Sequence, residues 1–212
     1  MTPSDPLSPT LLPMPIVHLV RHGEVRNPNH VCYADLPGFN LSPLGVLQAH
    51  AAGRHLSASG LDHVITSPLA RAVQTATAIA RPHGHTPEPD RGLIESGQYP
   101  GWTGVRWDDI RTHFPAQIDA YLTDATTMPD VQETIEDIAV RVAGAIHRTL
   151  AGGHGVLAVV AHQDPIQAAR LWMTGRSLTT LLDDPPSHAS VTTLTGSQHE
   201  GWVETASWVP EP

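Results

Sequence analysis

The chain has 212 residues, 40 % of them hydrophobic, and a formal net charge of −9: enough apolar material for one substantial core, and too acidic for general nucleic-acid binding, which neutralises phosphates with basic surface. All 12 cationic side chains are arginine, which excludes lysine Schiff-base chemistry and a P-loop lysine. The single Cys32 excludes an intramolecular disulfide and any multi-cysteine zinc site, and no apolar run approaches the roughly 20 residues that cross a bilayer, so a cytoplasmic protein is expected.

Residues 1–15 contain Pro3, Pro6, Pro9, Pro13 and Pro15 and no basic residue. That stretch lacks the cationic start and apolar middle of a signal peptide and reads as a disordered leader. Residues 16–212 are expected to form one domain. Ile16–Val20 reads as a buried strand that ends abruptly in Arg21, His22, Gly23 and Glu24. A loop through Pro28, Pro37 and Gly38 follows. A helix is predicted after Ser42, with Pro43 in its first position and Leu44, Leu47 and Ala51 spaced for one buried face. His63–Thr66 reads as a short strand, and Ser67-Pro68 repeats the same start signal for a helix running to about Arg81.

Residues 96–130 carry Trp102, Trp107, Phe114 and Tyr121 in an irregular, Pro- and Gly-punctuated cap or lid, with the aromatic side chains expected to serve packing before substrate contact. Asp130 and Glu133 match a capping-box pattern ahead of a helix bearing Val131, Ile135, Ile138, Val142 and Ile146. Gly155–Ala161 is a continuous apolar run, typical of a strand covered on both faces. Asp164-Pro165, with Gln167 three residues beyond the aspartate, opens another helix, and two strands near Ser190–Thr195 and Trp202–Trp208 close the chain. Strands alternating with helices predict an α/β protein of three layers, α/β/α, with a mostly parallel sheet and helices on both faces.

Ligands of such sheets sit beyond the carboxyl ends of the strands. Arg21 and His22 follow the first strand, Arg71 lies in the first turn of the helix after the second, and His162 follows the apolar Gly155–Ala161 run. Distant in sequence, these groups converge on one point and define an anion site, for which arginine's planar fork suits phosphate oxygens. Helix starts at Ser67-Pro68 and Asp164-Pro165 would aim backbone N–H groups the same way, with Asp164 partly offsetting the field. A neutral imidazole there can act as nucleophile or base. The leaving alcohol needs a proton, and Glu95 in "GLIESGQYPGWTG" is the carboxyl assigned to supply it, with Glu24 as the alternative.

The ordered set "LVRHGE", "SPLARAVQTA", a glutamate before "GWTG", and "VVAHQD" resembles the histidine phosphatase superfamily, in its phosphoglycerate-mutase-like branch, from about Ile16 to the C-terminus. The resemblance implies that His22 becomes phosphorylated, that Arg21, Arg71 and His162 bind the phosphoryl group, that Glu95 is proton donor and later base, and that Asn27 is a further phosphate ligand. It also implies that no metal or other cofactor is needed. Two features depart from the family pattern: Gln163-Asp164 stand where a glycine-rich turn is usual, and the stretch from Glu95 to "GWTG" is about one residue longer than usual.

The function expected is therefore metal-independent hydrolysis of a small phosphomonoester. A phosphoglycerate mutase-type phosphotransferase and a non-catalytic phospho-ligand binding module are the alternatives, and a histidine-rich metal binder is disfavoured because the histidines are scattered. The expected partner is a small phosphorylated substrate, with neither nucleic acid nor membrane; oligomeric state is not readable from the sequence.

Overall fold

The structure is a computed structural model that describes residues 14–97 and 101–211; nearly all of the proline-rich leader, and residues 98–100 of the expected cap, lie outside the described residues. In chain order the elements are β1 (Ile16–Arg21), α1 (Pro43–His55), β2 (His63–Thr66), α2 (Ala70–Ala80), β3 (Glu88–Pro89), α3 (Trp107–His113), α4 (Pro115–Asp124), α5 (Ile135–Ala151), β4 (Val156–Ala161), α6 (Gln163–Met173), β5 (Val191–Ser197) and β6 (Gly201–Trp208).

The strands form one six-stranded sheet in the order β3-β2-β4-β1-β5-β6. β1, β2, β3 and β4 run parallel, while β5 and β6 add an antiparallel edge. Because successive strand side chains point to opposite faces, Val17, Leu19, Leu157 and Val159 pack on Val142 and Ile146 of α5 and Ile166 of α6. Val20, Val64, Ala158 and Val160 pack instead on Ala52 of α1 and Ala72, Ala76 and Ile79 of α2. These are the three expected layers. Central β1 and β4 are covered on both sides, which is why their sequences read as unbroken apolar runs.

Five local expectations are corrected. Helix α1 starts as predicted, with Ser42 accepting from the Gly45 N–H, but its buried face is Gly45, Ala49, Ala52 and Gly53. Leu44 and Leu47 remain 44 % and 66 % exposed. The helix lies so close to its neighbours that a Cβ on Gly45 would meet the Glu24 carbonyl oxygen at 2.0 Å, and one on Gly53 the Ala78 oxygen at 2.5 Å; size, not hydrophobicity, selected the face. Helix α2 begins at Ala70 rather than at Ser67-Pro68, because the Ser67 hydroxyl is turned toward His162.

Helix α5 is capped by Thr134, whose hydroxyl accepts from the Asp137 N–H while the Asp137 carboxylate accepts from the Thr134 N–H. Asp130 sits outside in a left-handed turn (φ 56°) and Glu133 pairs with Arg141, so the capping box is real but placed four residues further on. Helix α6 is entered from His162, which puts Asp164 inside its first turn. Finally, the segment 96–130 is not irregular throughout. It holds α3 and α4, with Pro115 fixing the start of α4. Trp102 is fully buried there, edge-on to Trp107 and Tyr121, in a cluster with Ile110 and Ile118 that rests on Ile138 of α5 and Leu171 of α6.

Candidate active site

The carboxyl ends of β1, β2 and β4 open into a cavity of about 370 Å³ whose lining includes Arg21, His22, Glu24, Asn27, Glu95, Tyr121, Gln163, Asp164 and His188. His22 and His162 meet edge to face with ring centroids 5.2 Å apart, both almost fully buried. The sequence-predicted convergence is thus present in space.

The His22 Nδ1 lies 2.7 Å from the Gly23 carbonyl oxygen. A carbonyl only accepts, so Nδ1 carries the proton and the Nε2 lone pair is left for chemistry. Burial, followed by the positive charge of Arg71, holds the His22 pKa well below its ordinary value, so the ring is neutral at physiological pH. His162 is set the opposite way. Its Nε2 lies 2.8 Å from the Ser67 hydroxyl, whose oxygen also accepts from the Leu69 N–H. The hydroxyl proton has no other acceptor among the described residues, so Ser67 donates to Nε2 and Nδ1 carries the ring proton. This Nδ1 has no hydrogen-bond partner among the described residues and stands 3.5 Å from Glu95 Oε2. Burial, then Arg71, also keeps the His162 pKa well below 6.5.

Arg71, 1 % exposed, donates to the Ala34 carbonyl at 2.6 Å, lies 4.7 Å from the centre of the Tyr33 ring, and stands 3.6 Å from Glu95 Oε2. Arg21 donates to the Pro186 carbonyl and to His188 Nε2, at 2.9 and 3.1 Å. His188 is pushed down to about 4 by burial and then by Arg21, so it is a neutral acceptor. Desolvation lowers the pKa of both guanidinium groups, with Glu95 acting in the opposite sense. The Nε of each has no partner among the described residues. Two desolvated, incompletely compensated cations, Arg71 buried and Arg21 half-buried, favour a bound anion.

Glu95 is drawn between Arg71 and His162. Burial raises its carboxyl to about 7, and the nearby Arg71 charge only partly offsets this. Its backbone is held by Arg141 of α5, which donates to the carbonyls of Gly92, Ile94 and Glu95. Glu24, the alternative proton donor, lines the cavity but accepts from Ser42 at 2.6 Å. Asn27 lines it too, with its amide clasping Val31: Nδ2 donates to the Val31 carbonyl and Oδ1 accepts from the Val31 N–H.

Three contributors were not legible as such in the sequence. Ser67 reads as a helix cap, and nothing in the pattern of its helix singles out Arg141. His188 stood in a Pro-rich loop; Ala189 next to it donates to the Arg21 and His22 carbonyls. For a metal ion, His22, Glu95 and His162 offer ligand atoms within 4.8 Å of one another, but the two guanidinium groups make the field there positive, which favours an anion.

The chain belongs to the histidine phosphatase superfamily, an enzyme superfamily whose branch 1 model matches residues 17–208. It is 38 % identical over 175 residues to an uncharacterised protein, Rv0525, of Mycobacterium tuberculosis, spanning 76 % of this chain and 80 % of that one. It is 29 % identical over 168 residues to a 2,3-bisphosphoglycerate-dependent phosphoglycerate mutase of Methylobacterium radiotolerans, spanning 74 % and 78 %. A solved structure of a mycobacterial glucosyl-3-phosphoglycerate phosphatase shares the fold, with a TM-score of 0.78 and 24 % identity over 90 % of this chain and 97 % of that one. Among the described residues, no helix is long and apolar enough to cross a membrane.

Proposed function

We propose that the protein hydrolyses a small phosphomonoester through a phosphohistidine on His22. The observation that carries this reading is the opposed setting of the two buried histidines, one presenting a lone pair and the other an N–H to the same space. In the first step the His22 Nε2 lone pair attacks phosphorus and the P–O bond to the alcohol breaks. Glu95, protonated in a good fraction of molecules near neutrality because its carboxyl sits at about 7, donates its proton to the departing oxygen. Arg21, Arg71 and the His162 Nδ1–H receive the charge that develops on the phosphoryl oxygens.

In the second step the Glu95 carboxylate takes a proton from water, whose oxygen attacks phosphorus; the N–P bond breaks, and phosphate and neutral His22 are restored. Histidine divides a reaction that is otherwise among the slowest known into two easier transfers. Asn27 is a further phosphate ligand if its amide turns from Val31 on binding. The mutase alternative requires a partner cation for a second anionic group. Among the described residues that line the cavity, Arg21 is the only arginine, so hydrolysis is favoured. A cytoplasmic setting accords with the single, buried Cys32.

Hydrolysis of p-nitrophenyl phosphate with a chelator present, by wild type and by His22→Ala, tests the reading. Turnover that survives the chelator and is lost in the variant is expected. Equal turnover in both proteins would remove His22 from the nucleophile's role, and no turnover by folded wild type would favour the phospho-ligand binding module.

A further inference from the structure

Beyond the phosphoryl corner the cavity changes sign. Arg21, at the end of β1, lines it and is anchored to Pro186 and His188, while Arg71 of α2 is packed behind the lining against Ala34 and Tyr33. The lining also carries Asp164, placed by the first turn of α6, with Gln163 before it and the Tyr121 hydroxyl of α4 at its carboxylate. A carboxylate in a pocket for a phosphate dianion opposes binding unless it faces another part of the substrate, since like charges set side by side across a contact repel.

The Asp164 side chain is a fixed feature of this wall. Asp164 is 4 % exposed, both its carboxylate oxygens lie 3.4 Å from the Tyr121 hydroxyl, and Oδ1 is 3.3 Å from the Gln163 amide nitrogen. The charge is felt in the site, where it raises the pKa of both Glu95 and Arg21. The cavity is of the size that holds a small ligand, at the lower end of the usual ~300–1,000 Å³, so a leaving group in it passes this wall.

We propose that Asp164, positioned by Tyr121 and Gln163, determines specificity for the leaving alcohol by accepting a hydrogen bond from it, so that the substrate is a small phosphomonoester whose alcohol carries a hydroxyl or ammonium group and not a carboxylate or a second phosphate. The inference rests on the phosphatase reading of the same site and sets this chain's substrate apart from the phosphoglycerates. Gln163 and Asp164 are the two residues that depart from the glycine-rich turn noted in the sequence; here they form the wall that faces the alcohol.

Three alkyl phosphates of equal length test it: 2-hydroxyethyl phosphate, phosphoethanolamine and phosphoglycolate, with p-nitrophenyl phosphate as reference. Wild type is expected to show kcat/KM at least about tenfold higher for one or both donor-bearing esters than for phosphoglycolate. A preference for the ammonium ester over the hydroxyl ester identifies the donor as cationic, and the reverse as neutral; either supports the proposal. In Asp164→Asn the gap to phosphoglycolate is expected to close by about tenfold. Tyr121→Phe, which keeps the ring and removes the hydroxyl beside the carboxylate, is expected to narrow it less; should Asp164→Asn fail to fold, the order of substrates in wild type and Tyr121→Phe decides. Phosphoglycolate turned over as fast as the donor-bearing esters by an enzyme that hydrolyses p-nitrophenyl phosphate would overturn the subsite alone. Failure on p-nitrophenyl phosphate as well would overturn the phosphatase reading beneath it.

Discussion

Glu95 should cost the fold stability in return for a usable proton. Its carboxyl is raised from 4.5 to about 7, first by burial, and its side chain is only 15 % exposed, so solvent screening discounts the effect little. A carboxyl raised in the folded state binds its proton more tightly there than in the unfolded chain. Its stabilising share is therefore complete below the unfolded value of 4.5 and is lost as pH rises toward 7. The loss saturates at about 3 kcal/mol. Glu95→Gln mimics the protonated form at every pH and should lose this dependence. Urea unfolding of both proteins at pH 4.5 and pH 8 reads the effect as a difference of differences. Because His22 and His162 are common to both, their own destabilisation as pH falls below about 6.5 cancels. Wild type should lose about 3 kcal/mol relative to the variant between the two pH values, on the order of 10 °C in Tm for a chain of this size, while the variant loses most of its phosphatase activity. Identical pH dependence in the two proteins would refute the argument that Glu95 is held neutral by burial.

The same pKa values shape activity. kcat/KM for p-nitrophenyl phosphate should fall above about pH 7 as Glu95 ionises and hold down to well below pH 6.5, because His22 resists protonation; an alkaline limb that persists in Glu95→Gln would assign it to another group. Ser67→Ala leaves the buried His162 Nε2 without its donor and frees the ring to take the other tautomer, so kcat should drop about 10–100-fold beside a stability loss of about 1–3 kcal/mol for the unpaired nitrogen, read by steady-state kinetics and thermal unfolding. Gly45→Ala puts a methyl 2.0 Å from the Glu24 carbonyl oxygen; overpacking against backbone should cost about 1–3 kcal/mol or more and displace the loop that carries His22, seen as a lower urea midpoint together with a lower kcat.

Much of this protein was fixed by local pattern. β2 was delimited to its last residue, and β1 and β4 to within one, because an apolar run ending in polar or turn residues has few other structures available. Once those strands are parallel, their carboxyl ends must lie together, so Arg21, His22 and His162 were brought to one point by topology that the alternation of elements already implied. The helix starts were less secure. Ser42-Pro43 worked as written, whereas Ser67-Pro68 and Asp164-Pro165 carried the same local signal but spent their polar side chains on the site, since a hydroxyl or carboxylate answers to whichever partner the fold brings nearest.

What only the tertiary structure decided are the properties that depend on contacts between distant segments. The buried face of α1 was set by how closely two backbones approach, which favours Gly45 and Gly53 over the more hydrophobic Leu44 and Leu47. The tautomers of His22 and His162 were set by the Gly23 carbonyl and the Ser67 hydroxyl, the second of these 95 residues away in sequence. Glu95 became an acid near neutral pH only through the desolvation that surrounds it. Sequence supplied the reacting groups and the alternation of strands and helices along the chain; packing supplied the protonation states, because proton affinity depends on the dielectric and charge around a group and those are fixed only when the chain has closed over it.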